Sequence, residues 1–123
     1  MVERVRYCSI ERLYPRFLYD APVRVRGERI GKKPATGRIC EISACGLSAV
    51  LAHNFEIGEV VELEFMLNRL EKFVLNRLEI RVQAAVRNRQ GARYGFEFLT
   101  LSAEQRRQIE RATRLLPASP EEN

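Results

Sequence analysis

Two stretches of the chain, VELEFML at 61–67 and LEIRVQAAVR at 78–87, alternate apolar and polar residues with a period of two. That period is the mark of a strand with one face in a core and one in solvent, and it narrows the possible folds more than any other feature. Val61, Leu63, Phe65 and Leu67 share one side of the first stretch, against Glu62, Glu64 and Met66. Leu78, Ile80, Val82, Ala84 and Val86 share one side of the second. The pair Glu62 and Glu64 falls on the outward face and reads as solubilising charge rather than an acid–base pair.

The same alternation, in shorter runs, predicts four more strands. In APVRVRGERI, Val23 and Val25 face inward and Arg24 and Arg26 outward. TGRICEI follows after the punctuation of Gly31 to Pro34, with Ile39 and Glu41 on opposite parity from Cys40 and Ile42. SACG, residues 43–46, reads as a tight turn into LSAVLA. RYGFEF is the sixth strand, after the turn NRQGA. A helix then closes the chain. Ser102 and Gln105 have capping-box spacing, Glu104 suits the positive end of the helix dipole, and Arg111 and Arg114 suit the other. Ile109, Ala112 and Leu116 form its apolar stripe, Pro117 stops it, and PASPEEN reads as a disordered tail.

Residues 67–79 are ambiguous. LNRLE occurs at 67–71 and again at 75–79. Leu67, Leu70, Val74 and Leu78 also fit helical spacing, and no Gly or Pro marks a hairpin turn. The alternating flanks favour a long hairpin over a short helical excursion. Six strands with short connections and one helix then suggest a small antiparallel barrel or sandwich. The expected division is an N-terminal arm over 1–20, a barrel with its helix over 21–116 and a tail over 117–123.

A chain of 123 residues is one domain, able to bury roughly two-thirds of its unfolded surface without metal or disulfide staples. No apolar run approaches the ~20 residues of a membrane span, and the charged start MVERVRYCS has no apolar signal core, so a cytoplasmic protein is expected. Cys8, Cys40 and Cys45 are odd in number and contain no CxxC pair, so no disulfide framework is expected. With His53 the only histidine, neither is a zinc site. His53 reads as a loop or strand-end residue.

The net charge of +5 is uneven. Residues 1–38 hold ten Lys/Arg against four Asp/Glu, and the remainder eleven against twelve. Eighteen of the twenty-one cations are arginine, whose planar fork pairs with phosphate and stacks on bases. No P-loop, HExxH or nucleophile elbow is present, and Ser43 has no histidine close in sequence, so an enzyme is not expected.

Two stretches carry binding chemistry. In RLYPR, Arg12 and Arg16 stand four apart on a segment that Pro15 keeps out of a helix. In EISACG, Glu41 offers a carboxylate that only accepts, able to take two N–H donors such as those on a guanine edge. Ser43 adds a short donor and acceptor. Gly46 permits a positive φ and close approach of a ligand to the backbone. Each also has a plain reading: Ser-x-x-Gly is a common β-turn, and RxxxR is common in any arginine-rich chain.

Taken together and in this order, these residues resemble the PilZ domain family, bacterial receptors for cyclic di-GMP. The resemblance spans roughly 8–115 and rests on ERLYPRFLYDAPVRV, GRICEISACGLSAVL and RYGFEFLTLSAEQRRQIER. Arg12 and Arg16 match the family's RxxxR. Ser43 and Gly46 match (Asp/Asn)xSxxG, with Glu41 where the family has the shorter acid or its amide. Tyr94, Gly95 and Phe98 match the late Tyr-Gly-x-x-Phe strand.

The resemblance implies a mainly β fold, a six-stranded antiparallel barrel with a C-terminal helix. It implies cyclic di-GMP as ligand, held by Arg12, Arg16, Glu41, Ser43 and Gly46, with no metal or other cofactor. It implies a non-catalytic adaptor whose arginine arm orders on nucleotide and alters contact with an unidentified protein partner. The alternative is a degenerate module that binds protein and no nucleotide. Neither a membrane nor nucleic acid is an expected partner: a basic barrel for single-stranded nucleic acid needs exposed aromatics, and here there is no Trp and the Tyr and Phe mostly alternate inward.

Overall fold

The computed structural model describes residues 15–120. Six strands, β1 (Phe17–Arg26), β2 (Ala35–Ile42), β3 (Gly46–Leu51), β4 (Val60–Glu71), β5 (Val74–Gln90) and β6 (Arg93–Phe98), precede one helix, α1 (Ala103–Thr113). All neighbours are antiparallel, and the sheet closes as a barrel in the order β1-β2-β3-β6-β5-β4. The expected barrel with its C-terminal helix is the observed fold. Closure satisfies the edges that an open sheet would expose.

The alternating residues fill the barrel. Val23, Val25, Leu63, Phe65, Ile80, Val82, Val86, Tyr94 and Phe96 are all buried. Tyr94 also supports a loop: its hydroxyl donates to the His53 carbonyl at 2.8 Å and accepts from the Phe55 N–H at 3.1 Å. His53 thus lies in the loop expected for it.

The first strand starts earlier than its alternation suggested. It begins at Phe17 rather than 21, and Tyr19 and Ala21 continue the buried set. Asp20 falls in the stretch read as an arm, and Pro22 is a residue that interior strands exclude. In the barrel, pairing of β1 with β4 begins only at Val23, so on that side Pro22 has no partner to miss. In β2, a register shift against β3 between Ile39 and Glu41 adds a residue. The bulge buries both Ile39 and Ile42, three apart, and turns Glu41 toward the outer surface, where simple alternation gave opposite parities.

Residues 67–79 form a hairpin, with twelve Cα pairs in unbroken register from Val60↔Ala85 to Glu71↔Val74. Its two-residue turn is Lys72–Phe73, at φ 50° and 66°. Both residues occupy the left-handed region that a tight hairpin demands, without the Gly or Asn that usually announces it. The Phe73 side chain is 98% exposed at the tip.

Helix α1 carries the capping box: Ser102 Oγ accepts from the Gln105 N–H at 3.0 Å, and Gln105 Oε1 accepts from the Ser102 N–H at 3.1 Å. Gln105 Nε2 also donates to the Arg81 carbonyl, pinning the helix start to β5. Ile109 and Ala112 are buried, and Leu116 packs on the core beyond the helix end. Of the residues 117–123 read as a disordered tail, 117–119 are attached: the Leu18 N–H donates to the Pro117 carbonyl, and the Ser119 N–H to the Arg16 carbonyl, both at 2.9 Å, while 121–123 lie outside the described residues. No helix among the described residues is long and apolar enough to cross a membrane.

Candidate functional site

The ends of β1 and β2 meet where the binding stretches lie. Leu18 pairs with Glu41 and Phe17 with Ile42, so the residue that enters β1, Arg16, arrives beside the end of β2. Glu41 Oε1 is 3.6 Å from Arg16 Nη1. It is also 3.3 Å from Nη2 of Arg93, on β6. The same Arg93 nitrogen donates to Ser48 Oγ on β3 at 3.2 Å. Glu41 Oε2 accepts a hydrogen bond from the Ser119 hydroxyl.

One carboxylate, its side chain only 15% exposed, therefore gathers two guanidinium groups and a serine. The two cations exceed the one anion, so the cluster retains a positive charge. Arg16 and Arg93 are themselves well exposed, at 65% and 46%. Exposed ion pairs of this kind contribute about 0–1 kcal/mol, so a better anion can take either arginine at little cost.

Ser43 and Gly46 are brought to each other by the turn. The Ser43 N–H donates to the Gly46 carbonyl at 2.8 Å. Ser43 Oγ accepts from the Cys45 N–H at 3.1 Å, and its hydroxyl donates to the Gly46 carbonyl at 3.5 Å. Ser43 is buried and holds the turn in shape. Gly46 has no positive φ; a Cβ there would lie 2.0 Å from the Phe96 carbonyl oxygen. Glycine is required because β6 passes against it, not for backbone freedom. Arg12 lies outside the described residues.

A shallow, open depression adjoins this cluster, lined by Leu18, Tyr19, Asp20, Arg38, Ile39 and Cys40. Arg38 Nε is 2.8 Å from Asp20 Oδ1 on its rim. Among the described residues, no group of three or more His, Cys, Asp or Glu is placed to hold a metal ion.

Sequence reasoning missed Arg93 and Ser119, which stand 52 and 78 positions from Glu41. Arg93 had one signal: it shares the outward parity of β6 with Glu97, immediately before the Tyr94-Gly95 pair. Ser119 had none, because nothing in PASPEEN indicates where the tail returns. The N-terminal arginines also changed meaning. Glu64, 7% exposed, lies 3.8, 3.4 and 3.2 Å from Arg24, Arg26 and Arg81. It is a covered counter-ion rather than solubilising charge. Arg29 pairs with Glu56 and Glu59. Acids from beyond residue 38 thus pair with Arg16, Arg24, Arg26 and Arg29 of the basic N-terminal stretch.

Comparison with known proteins agrees with this fold. The PilZ domain family model matches residues 10–115. The PilZ domain of YcgR from Escherichia coli, solved with c-di-GMP, superposes with a TM-score of 0.64 at 17% identity, covering 87% of this chain and 92% of that one. The PilZ domain of CeSA from a cellulose-synthesizing bacterium gives 0.56 at 16% identity, covering 80% and 93%. The Bacillus subtilis inhibitor of motility, MotI/DgrA, gives 0.62 at 22% identity, covering 85% of this chain and 49% of that one. A comparison with curated proteins found no match. With its barrel, its ExSxxG turn and a family match over most of its length, this chain belongs to the PilZ domain family.

Proposed function

We infer that this protein is a non-catalytic receptor for cyclic di-GMP that passes the signal to a protein partner. The observation that carries the reading is the convergence of Arg16 and Arg93 on Glu41, beside the ExSxxG turn and at the point where the arginine segment enters the barrel. The YcgR domain with c-di-GMP shares the fold, which supports the same ligand here.

The ligand chemistry fits. Cyclic di-GMP carries two phosphate charges and two purine faces. Arg12 and Arg16 would pair with the first and stack on the second, and Arg93 adds a third guanidinium beside them. Glu41 would accept from a guanine edge. In this reading Ser43 and Gly46 act by shaping the turn that carries Glu41's strand into β3. Charge-assisted hydrogen bonds contribute about 1.5–3 kcal/mol each and base stacking about 1–3 kcal/mol. A few of these, less the cost of association, reach the ~8 kcal/mol of micromolar affinity. Ordering of the arm on the nucleotide would then alter the surface offered to the partner.

Glu41 motivates the second reading, a module that binds protein only. Its carboxylate is longer than the family's acid and already engaged on both oxygens. Calorimetric titration of cyclic di-GMP, with GMP as control, separates the two. Saturable binding of cyclic di-GMP alone supports the receptor. A flat trace from folded protein, with binding restored by Glu41→Asp, supports the degenerate module.

A further inference from the structure

The segment after α1 returns to the site. Pro117 ends the helical run, and its carbonyl accepts from the Leu18 N–H. Ala118 forms a bridge with Phe17, and the Ser119 N–H donates to the Arg16 carbonyl. These three residues act as a short extra strand on the stretch of β1 that β4 leaves uncovered, since β4 pairs only from Val23 onward. Pro117 and Pro120 restrict the segment to an extended course that suits such pairing. A side chain also reaches the site: Ser119 donates its hydroxyl to Glu41 Oε2.

We propose that residues 117–119 are an intramolecular lid on the nucleotide site, closed in the free protein and displaced when ligand binds. The proposal rests on the receptor reading. The hydroxyl of Ser119 occupies the oxygen that a guanine N–H needs, and the backbone of the lid clamps Arg16 at its carbonyl. Both the acceptor and Arg16 are therefore restrained until the lid leaves. Two backbone hydrogen bonds and one side-chain hydrogen bond make a weak latch, of the kind that opens locally without unfolding a barrel. A closed fraction lowers apparent affinity in proportion. Displacement also bares the edge of β1 at Phe17 and Leu18, so ligand binding changes the surface.

The test compares three proteins by calorimetry with cyclic di-GMP: the full chain, Ser119→Ala, and a chain ending at Leu116, with thermal melts to verify the fold. The lid predicts affinity tighter by about threefold in Ser119→Ala and about tenfold in the shortened chain. Binding by the full chain with unchanged or weaker affinity in both variants overturns the lid and leaves the receptor standing. Binding by none of the three overturns the receptor reading and the lid with it. If the shortened chain does not fold, NMR hydrogen exchange of the Ser119 amide in the full chain decides. Faster exchange at saturating cyclic di-GMP supports the lid, and unchanged protection overturns it.

Discussion

Arg93 Nη2 and Glu41 Oε1 lie 3.3 Å apart although β3 runs between their strands. Strands two places apart are separated by roughly 10 Å, a span that a long arginine can cross and a shorter side chain cannot. Glu41 is therefore linked to the far side of β3 as well as to the arginine segment at Arg16.

Arg93→Ala removes one of the two cations described as paired with Glu41. Its exposed ion pair adds little to stability, so the melting temperature should fall by less than about 4 °C. Cyclic di-GMP affinity should weaken about tenfold, the loss of one charge-assisted contact. Calorimetry and thermal melts on the same sample read both quantities. Unchanged affinity would remove Arg93 from the site.

Glu64→Gln tests the covered carboxylate on β4. The substitution keeps the side-chain shape and removes the charge that Arg24, Arg26 and Arg81 share. Its partners are about half exposed, which discounts the loss to about 1–2 kcal/mol. Urea denaturation should show a lower midpoint with an unchanged slope. Nucleotide binding should be unaffected.

The Lys72–Phe73 turn holds two non-glycine residues at positive φ. Replacing both, as Lys72→Asn with Phe73→Gly, supplies the residues that this turn favours. Stability should rise by about 1 kcal/mol, measured by chemical denaturation. A fall would mean that the Phe73 side chain contributes to the hairpin despite its exposure.

Burial pushes the Tyr19 phenol above its ordinary value of 10.0, while its hydroxyl donates to the Met66 carbonyl at 2.6 Å. A raised pKa means that the folded state holds its proton longer than the unfolded chain does. The stability this provides is complete below about pH 10 and is lost as pH rises from there through the folded value. Melts from pH 7 to 11 should show a decline at the alkaline end, shallower in Tyr19→Phe.

By itself the sequence determined the strands and the helix, because each is a local pattern. Leu63, Phe65, Ile80 and Val82 show the period of a half-buried strand, and Ser102 with Gln105 shows a helix start. The RxxxR and ExSxxG stretches were legible for the same reason: their spacing lies within a few residues. Tertiary structure decided which partners the described residues meet. Closure of the barrel gave Glu41 the partners Arg93 and Ser119, covered Glu64 with three arginines, and set Gly46 against β6. It also drew Pro117 to Ser119 back along β1. Each of these contacts joins distant positions through strand order and register. Side-chain periodicity specifies which face a residue takes, but not which residue will stand opposite it.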